Sequence, residues 1–249
     1  MSRSSVLVTA TPAILAALLL AGCCISLPQT VSQTIVGSGK TVTVEKDLSG
    51  FSKVAASSAF RVDISQSDGY GVAITVDEKV VPYLDVVVQG DTLRIALQSG
   101  LSLTGATGPL EAKVTMPKLT GLDLSGASRA IIGGFKSGER LDAELSGASR
   151  LDGEIEAGDV RFQLSGASRE TLSGKGQKMA LEASGASQAN LEQFAVAEAT
   201  VGLSGASQAT VNVAGTLDAD LSGASTLRYT GNPTMGSVES SGASTIRPK

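Results

Sequence analysis

The stretch Leu122-Asp123-Leu124-Ser125-Gly126-Ala127-Ser128-Arg129-Ala130 decides the fold, because most of it returns six more times. Ser-Gly-Ala-Ser begins at Ser125, Ser146, Ser165, Ser184, Ser204, Ser222 and Ser241, at spacings of 18 to 21 residues. A period near 20 is the signature of a solenoid. The position before each tetrapeptide holds Leu124, Leu145, Leu164, Ala183, Leu203, Leu221 and Ser240, and the position three before holds Leu122, Ala143, Phe162, Leu181, Val201, Ala219 and Val238. Between them stand Asp123, Glu144, Gln163, Glu182, Gly202, Asp220 and Glu239. Apolar, polar, apolar is a strand with one buried face, not a helix. The repeat predicts an all-β chain, a parallel β-helix or β-solenoid with coils of about 20 residues. Coil lengths this variable disfavour the left-handed hexapeptide form, and parallel crossovers default to the right hand.

The tetrapeptide reads as the corner of each coil. Gly126, Gly147, Gly166, Gly185, Gly205, Gly223 and Gly242 take a positive φ that a Cβ would penalise. Alanine is small enough for a crowded bend, and the serine hydroxyls cap freed backbone groups. A catalytic serine ladder lacks any accompanying base. Upstream, Ser57-Ser58-Ala59-Phe60-Arg61-Val62 resembles a worn copy of Ser125 to Ala130, so the solenoid is expected to begin near Asp47. The sequence then predicts a strand over 72–76, a helical turn over 77–84, and a strand over 86–88. A turn at Gln89-Gly90-Asp91 leads into a strand over 93–97. Residues 99–108 read as a loop, and 110–116 lead into the first clear coil.

The chain opens with an export address. Arg3, the apolar run from Val6 to Leu20 and Leu20-Ala21-Gly22-Cys23 look like a prokaryotic lipoprotein signal, with Cys23 as the lipidated residue. The expected organisation is a signal peptide over 1–22, a flexible tether over 23–39, and a solenoid domain over 40–249. Regular coils are expected from about 120. The two cysteines of the chain are Cys23 and Cys24, so the domain beyond them has no internal disulfide. The expected location is the cell envelope or surface, held to the membrane by the N-terminal lipid.

Composition narrows the chemistry. The 249 residues contain no His and no Trp, and aromatics make up 3%. His-based triads and His-ligated metals are excluded, and stacking platforms for bases or sugars are scarce. A formal net charge of −4 argues against a nucleic-acid partner.

Asp142 with Glu144, Asp152 with Glu154 and Asp218 with Asp220 are spaced two apart, about 6.6 Å along one strand face, near the separation of inverting glycosidases. Alternation places Asp142 and Glu144 outside, beside inward Leu141, Ala143 and Leu145, so a solvated surface is the preferred reading. Acidic residues at 123, 144, 182, 220 and 239 stack from coil to coil. The latest of them, Asp220 and Glu239, are weak candidates to share a divalent cation. After each corner stands a second outer ladder: Arg129, Arg150, Arg169, Gln188, Gln208, Thr226 and Thr245. Its arginines suit an anionic glycan, although a solvated face is the plainer reading.

Phe51 through Ile64, Gly90-Asp91-Thr92-Leu93, and Pro117-Lys118-Leu119 running into Leu122 to Ala127 resemble the putative auto-transporter adhesin, head GIN domain family of prokaryotic envelope proteins. The resemblance extends from Phe51 to Ile246. It implies a β-helical extracytoplasmic domain with no assigned catalytic residues. The leading expectation is a non-enzymatic adhesion or scaffolding module without a cofactor. Its candidate partners are a glycan, an envelope protein or further copies of itself. A polysaccharide lyase or glycosidase on the same fold is the first alternative, and a purely structural envelope protein the second.

Overall fold

The computed structural model describes residues 33–249. Among these, twenty-one strands carry the fold, and the sole helical element is a 3-10 turn, Val81–Tyr83. From residue 121 onward the period-2 pattern produces two strands per coil. One column consists of β10 (Gly121–Leu124), β12 (Leu141–Leu145), β14 (Val160–Leu164), β16 (Lys178–Ala183), the second halves of β17 (Gln188–Leu203) and β18 (Gln208–Leu221), and β20 (Thr234–Ser240). The other consists of β11 (Arg129–Lys136), β13 (Arg150–Glu156), β15 (Arg169–Lys175), the first halves of β17 and β18, β19 (Thr226–Thr230) and β21 (Thr245–Pro248). All pairings within both columns are parallel. The result is a flattened β-solenoid of about six turns, with coils about 20 residues apart.

The inner faces of the two sheets meet in one apolar core. Leu124, Leu145, Leu164, Ala183, Leu203 and Leu221 lie in register from coil to coil, each almost fully buried. Phe162 and Phe194 meet edge to face, with ring centroids 6.1 Å apart. Each coil buries its face against the next, so stability is shared between neighbours. The last coil breaks the pattern. Ser240 replaces the inner leucine, and Val238 is 43% exposed where its counterparts below are buried.

The opposite end is built differently. β3 (Lys53–Ala56) and β4 (Arg61–Gln66) lie parallel to β10 and β11, so residues 53–66 form a true coil. The chain then leaves the stack through β5 (Gly71–Asp77), the 3-10 turn and β6 (Leu84–Gln89). It returns as β7 (Thr92–Leu97) and β9 (Glu111–Met116), which pair parallel to β3 and β4. The coil made by β7 and β9 therefore lies outside an earlier one. Antiparallel strands close this end: β6 pairs with β7, β5 with β9, and β2 (Thr41–Lys46) with β5. Covering the terminal strands removes open sheet edge that would otherwise invite aggregation.

Two expectations are corrected here. Residues 99–108 are not a loop throughout, because β8 (Leu101–Ala106) pairs in parallel with β1 (Gln33–Ser38). Residues 33–38 are accordingly not tether. Pairing satisfies the backbone groups that the two strands turn towards each other, and Ile35 is buried against the core. The Asp77 carboxylate fastens the turn after β1. It accepts hydrogen bonds from the backbone N–H of Ser38 and Gly39, both at 2.8 Å, and of Lys79 at 2.9 Å. Burial opposes its ionisation, yet the N–H groups of Lys79, Gly39 and Ser38 and the Ser38 hydroxyl together hold it below the ordinary carboxylate range.

Candidate functional site

The seven corners are the most regular feature of the surface. Gly126, Gly147, Gly166, Gly185, Gly205, Gly223 and Gly242 have φ between +71° and +75°. The following alanine is exposed at every corner, so the crowding expected there falls elsewhere. At the six corners from Gly147 to Gly242 the alanine N–H donates to the glycine carbonyl of the coil below at 2.7–2.8 Å, as Ala186 does to Gly166. The second serine turns inward: Ser128, Ser149, Ser168, Ser187, Ser207 and Ser225 are buried. Ser168 Oγ donates to the Ser165 carbonyl at 3.0 Å, and Ser149 Oγ to Leu124 of the coil below at 3.0 Å. These serines close the corner and do not form a nucleophile row.

The worn copy at Ser57 folds as a corner as well. Ser58 and Ala59 adopt φ of +61° and +63° without glycine, and Phe60 takes the inward place that serine holds in later coils.

On the first sheet the acidic ladder forms one wall of a shallow groove of about 500 Å³, whose lining includes Asp123, Glu144, Glu182, Asp220, Ser165 and Ser184. Its middle is zipped by neutral and positive partners. Arg161 Nη2 donates to Glu182 at 3.1 Å, and the Gln163 amide lies between Glu144 and Glu182. Burial raises the Asp123 carboxyl above its ordinary value. Asp220 and Glu239 are direct neighbours across β18 and β20, both exposed. Among the described residues, no group of three or more His, Cys, Asp or Glu is placed to hold a metal ion.

The carboxylate pairs have structural partners. Asp142 meets Arg140 Nη2 at 2.7 Å, Asp152 holds Arg150 and Arg129, and Asp218 Oδ1 accepts the Ser237 N–H at 2.7 Å.

On the second sheet Arg129, Arg150 and Arg169 stand in register, and Arg61 extends the column by one coil. The worn copy at Ser57 already aligns Arg61 with Arg129, but the ladder is read only from the seven intact Ser-Gly-Ala-Ser corners, which leave this fourth member out. Sequence reasoning also missed Glu170, which alternation hides in the core between Leu151 and Ala189. The Glu170 carboxyl is fully buried, neither oxygen has a hydrogen-bond partner, and burial pushes it up to about 8. Cys23 lies outside the described residues.

No curated protein matches this sequence. A solved structure from Bacteroides fragilis, described as a putative adhesin, superimposes with a TM-score of 0.81 at 22% identity. It covers 86% of this chain and 100% of its own. One from Parabacteroides distasonis, described as a putative lipid binding protein, gives 0.69 at 18% identity, covering 87% and 100%. A putative adhesin from Parabacteroides merdae gives 0.65 at 16%, covering 87% and 99%. At these identities the likeness establishes the fold alone. The sequence itself carries the family pattern over residues 50–233, and the chain therefore belongs to the putative auto-transporter adhesin, head GIN domain family.

Proposed function

We propose that this protein is a non-enzymatic adhesion or scaffolding module of the cell envelope, held to the membrane by lipid on Cys23. The observation that carries the reading is the shape of its outer surface. Both sheets present repeating ladders of polar side chains over six coils, and Asp142, Asp152 and Glu182 on them pair with neighbouring arginines. Such a surface suits many weak contacts with an extended partner better than one concentrated reaction centre. Membership of an adhesin-like family supports an envelope location. The Leu20-Ala21-Gly22-Cys23 sequence supports the anchor.

Two measurements test the reading. Beads carrying the full chain are expected to adhere to bacterial cell surfaces more than bare beads; equal adhesion refutes the adhesive role. The intact mass and detergent partitioning of the full chain, compared with Cys23→Ala, test the anchor. An unchanged acyl mass in the variant rules out lipid on that residue.

A further inference from the structure

We propose that the outward column Arg61–Arg129–Arg150–Arg169, continued by Gln188 and Gln208, is a binding track for a linear polysaccharide bearing carboxylates along its length. The inference rests on the adhesive reading and names its partner class. These six side chains occupy successive coils in strict register. At the ordinary spacing of paired strands the track is about 24 Å long.

The charge on this track is under-compensated. Asp152 is shared between Arg129 Nη2 at 3.0 Å and Arg150 Nε at 2.7 Å, so one carboxylate serves two guanidinium groups. Arg61 reaches Asp63 only at 4.0 Å, and Glu111 stands beyond Arg61 at the sealed end of the solenoid. Arg169 Nε donates to the neutral Gln188 Oε1 at 3.1 Å rather than to an acid. The adjacent carboxyl, Glu170, faces the core and adds no charge to this surface. Guanidinium forks with unused N–H groups match carboxylates in both charge and geometry.

The track then changes chemistry. Beyond Arg169 a shallow trough of about 280 Å³ has a lining that includes Arg169, Thr171, Gln188, Asn190, Gln208 and Thr210, with the buried Glu170 beneath it. Amides and hydroxyls in this arrangement donate to and accept from sugar hydroxyls. No aromatic side chain stands on either outer ladder flanking the trough to stack a nucleobase, and the whole chain is acidic. An anionic sugar polymer fits both halves, with carboxylates over the arginines and neutral hydroxyls over the amides.

Calorimetric titration of the full chain in detergent with polygalacturonate, inorganic polyphosphate and neutral dextran tests this assignment. Polygalacturonate is expected to bind and to weaken as salt is raised. Arg129→Gln with Arg169→Gln is expected to weaken it by about tenfold or more, and Gln208→Ala by a smaller factor. Arg169→Gln alone, which removes only the Gln188 contact, serves if the double variant melts early. Polygalacturonate binding absent, or unaltered by these substitutions at an unchanged melting temperature, overturns the track. Equal binding of polyphosphate that ignores Gln208→Ala overturns the sugar specificity, and equal binding of dextran overturns the role of charge. Cell adhesion by beads that persists without polygalacturonate binding refutes the track alone, whereas loss of adhesion by the unsubstituted chain refutes the adhesive reading.

Discussion

Gly185 lies so close over Gly166 that a Cβ on Gly185 would sit 2.5 Å from the Gly166 carbonyl oxygen. That oxygen already accepts the Ala186 N–H at 2.7 Å. The corner therefore needs glycine twice, once for φ of +74° and once for the approach of neighbouring coils. The same approach, 2.5–2.6 Å, recurs at each corner from Gly147 to Gly242. At Gly126 the nearest atom to such a Cβ is the Ser58 nitrogen at 3.8 Å, because the coil below has the looser Ser57-Ser58 corner.

This contrast makes a prediction. Gly126→Ala bears only the backbone strain of a positive φ, of order 1–3 kcal/mol. Gly185→Ala bears the same strain and must also push its own coil away from the one below, which adds about 1–3 kcal/mol. Chemical denaturation of both variants checks it. Equal losses would mean that the coils separate at no cost and that conformation alone selects glycine.

The buried serines divide in the same way. Ser168 Oγ serves the Ser165 carbonyl, so Ser168→Ala is expected to cost about 0.5–1.5 kcal/mol by removing that part-buried hydrogen bond. Ser128 is equally buried, but its hydroxyl has no partner, and Phe60 rather than a serine occupies the equivalent place in the coil below. Ser128→Ala is expected to be neutral or mildly stabilising. A large loss at Ser128, measured by the same denaturation, would contradict the assignment of the hydroxyl's role.

How much of this was legible in the sequence follows from where the periodicity was clean. Between residues 121 and 249 the spacing of Ser-Gly-Ala-Ser and the alternation around it yield the coils, their register and the outward ladders. Residues 33–120 were harder, because β7 and β9 are placed outside β3 and β4 against chain order, and no local pattern encodes that inversion. β1 and β8 escaped notice for a related reason. Gln33, Thr34, Ser38, Ser102 and Thr104 make them look like polar loop, and only their pairing over 68 residues of chain makes them strands. At the surface the arginine column was readable from the repeats, whereas its compensation by a shared Asp152 depends on how the Arg129 and Arg150 side chains bend towards one carboxylate.

Glu170 occupies an inward position held by Leu151 below it and by Ala189 and Ala209 above. In the unfolded chain its carboxyl ionises near the ordinary 4.5, and in the folded core it keeps its proton until about 8. Between these values only the unfolded state releases the proton. Stability should therefore be level below about pH 4.5, fall as pH rises towards 8, and level again above it, with a slope of at most about 1.4 kcal/mol per pH unit from this group. Glu170→Leu removes the titration and restores an apolar ladder. Its advantage over the unsubstituted chain is expected to widen steadily from pH 5 to 8 and to be constant below 4.5. Glu170→Gln should lose the same pH dependence while gaining little at pH 4, since an amide leaves its own buried polar atoms unpaired. Differences between the melting curves of the three proteins across pH 4–9 cancel the other titrating groups. A pH-independent difference between Glu170→Leu and the unsubstituted chain would show that Glu170 is ionised, or solvated, in the folded state.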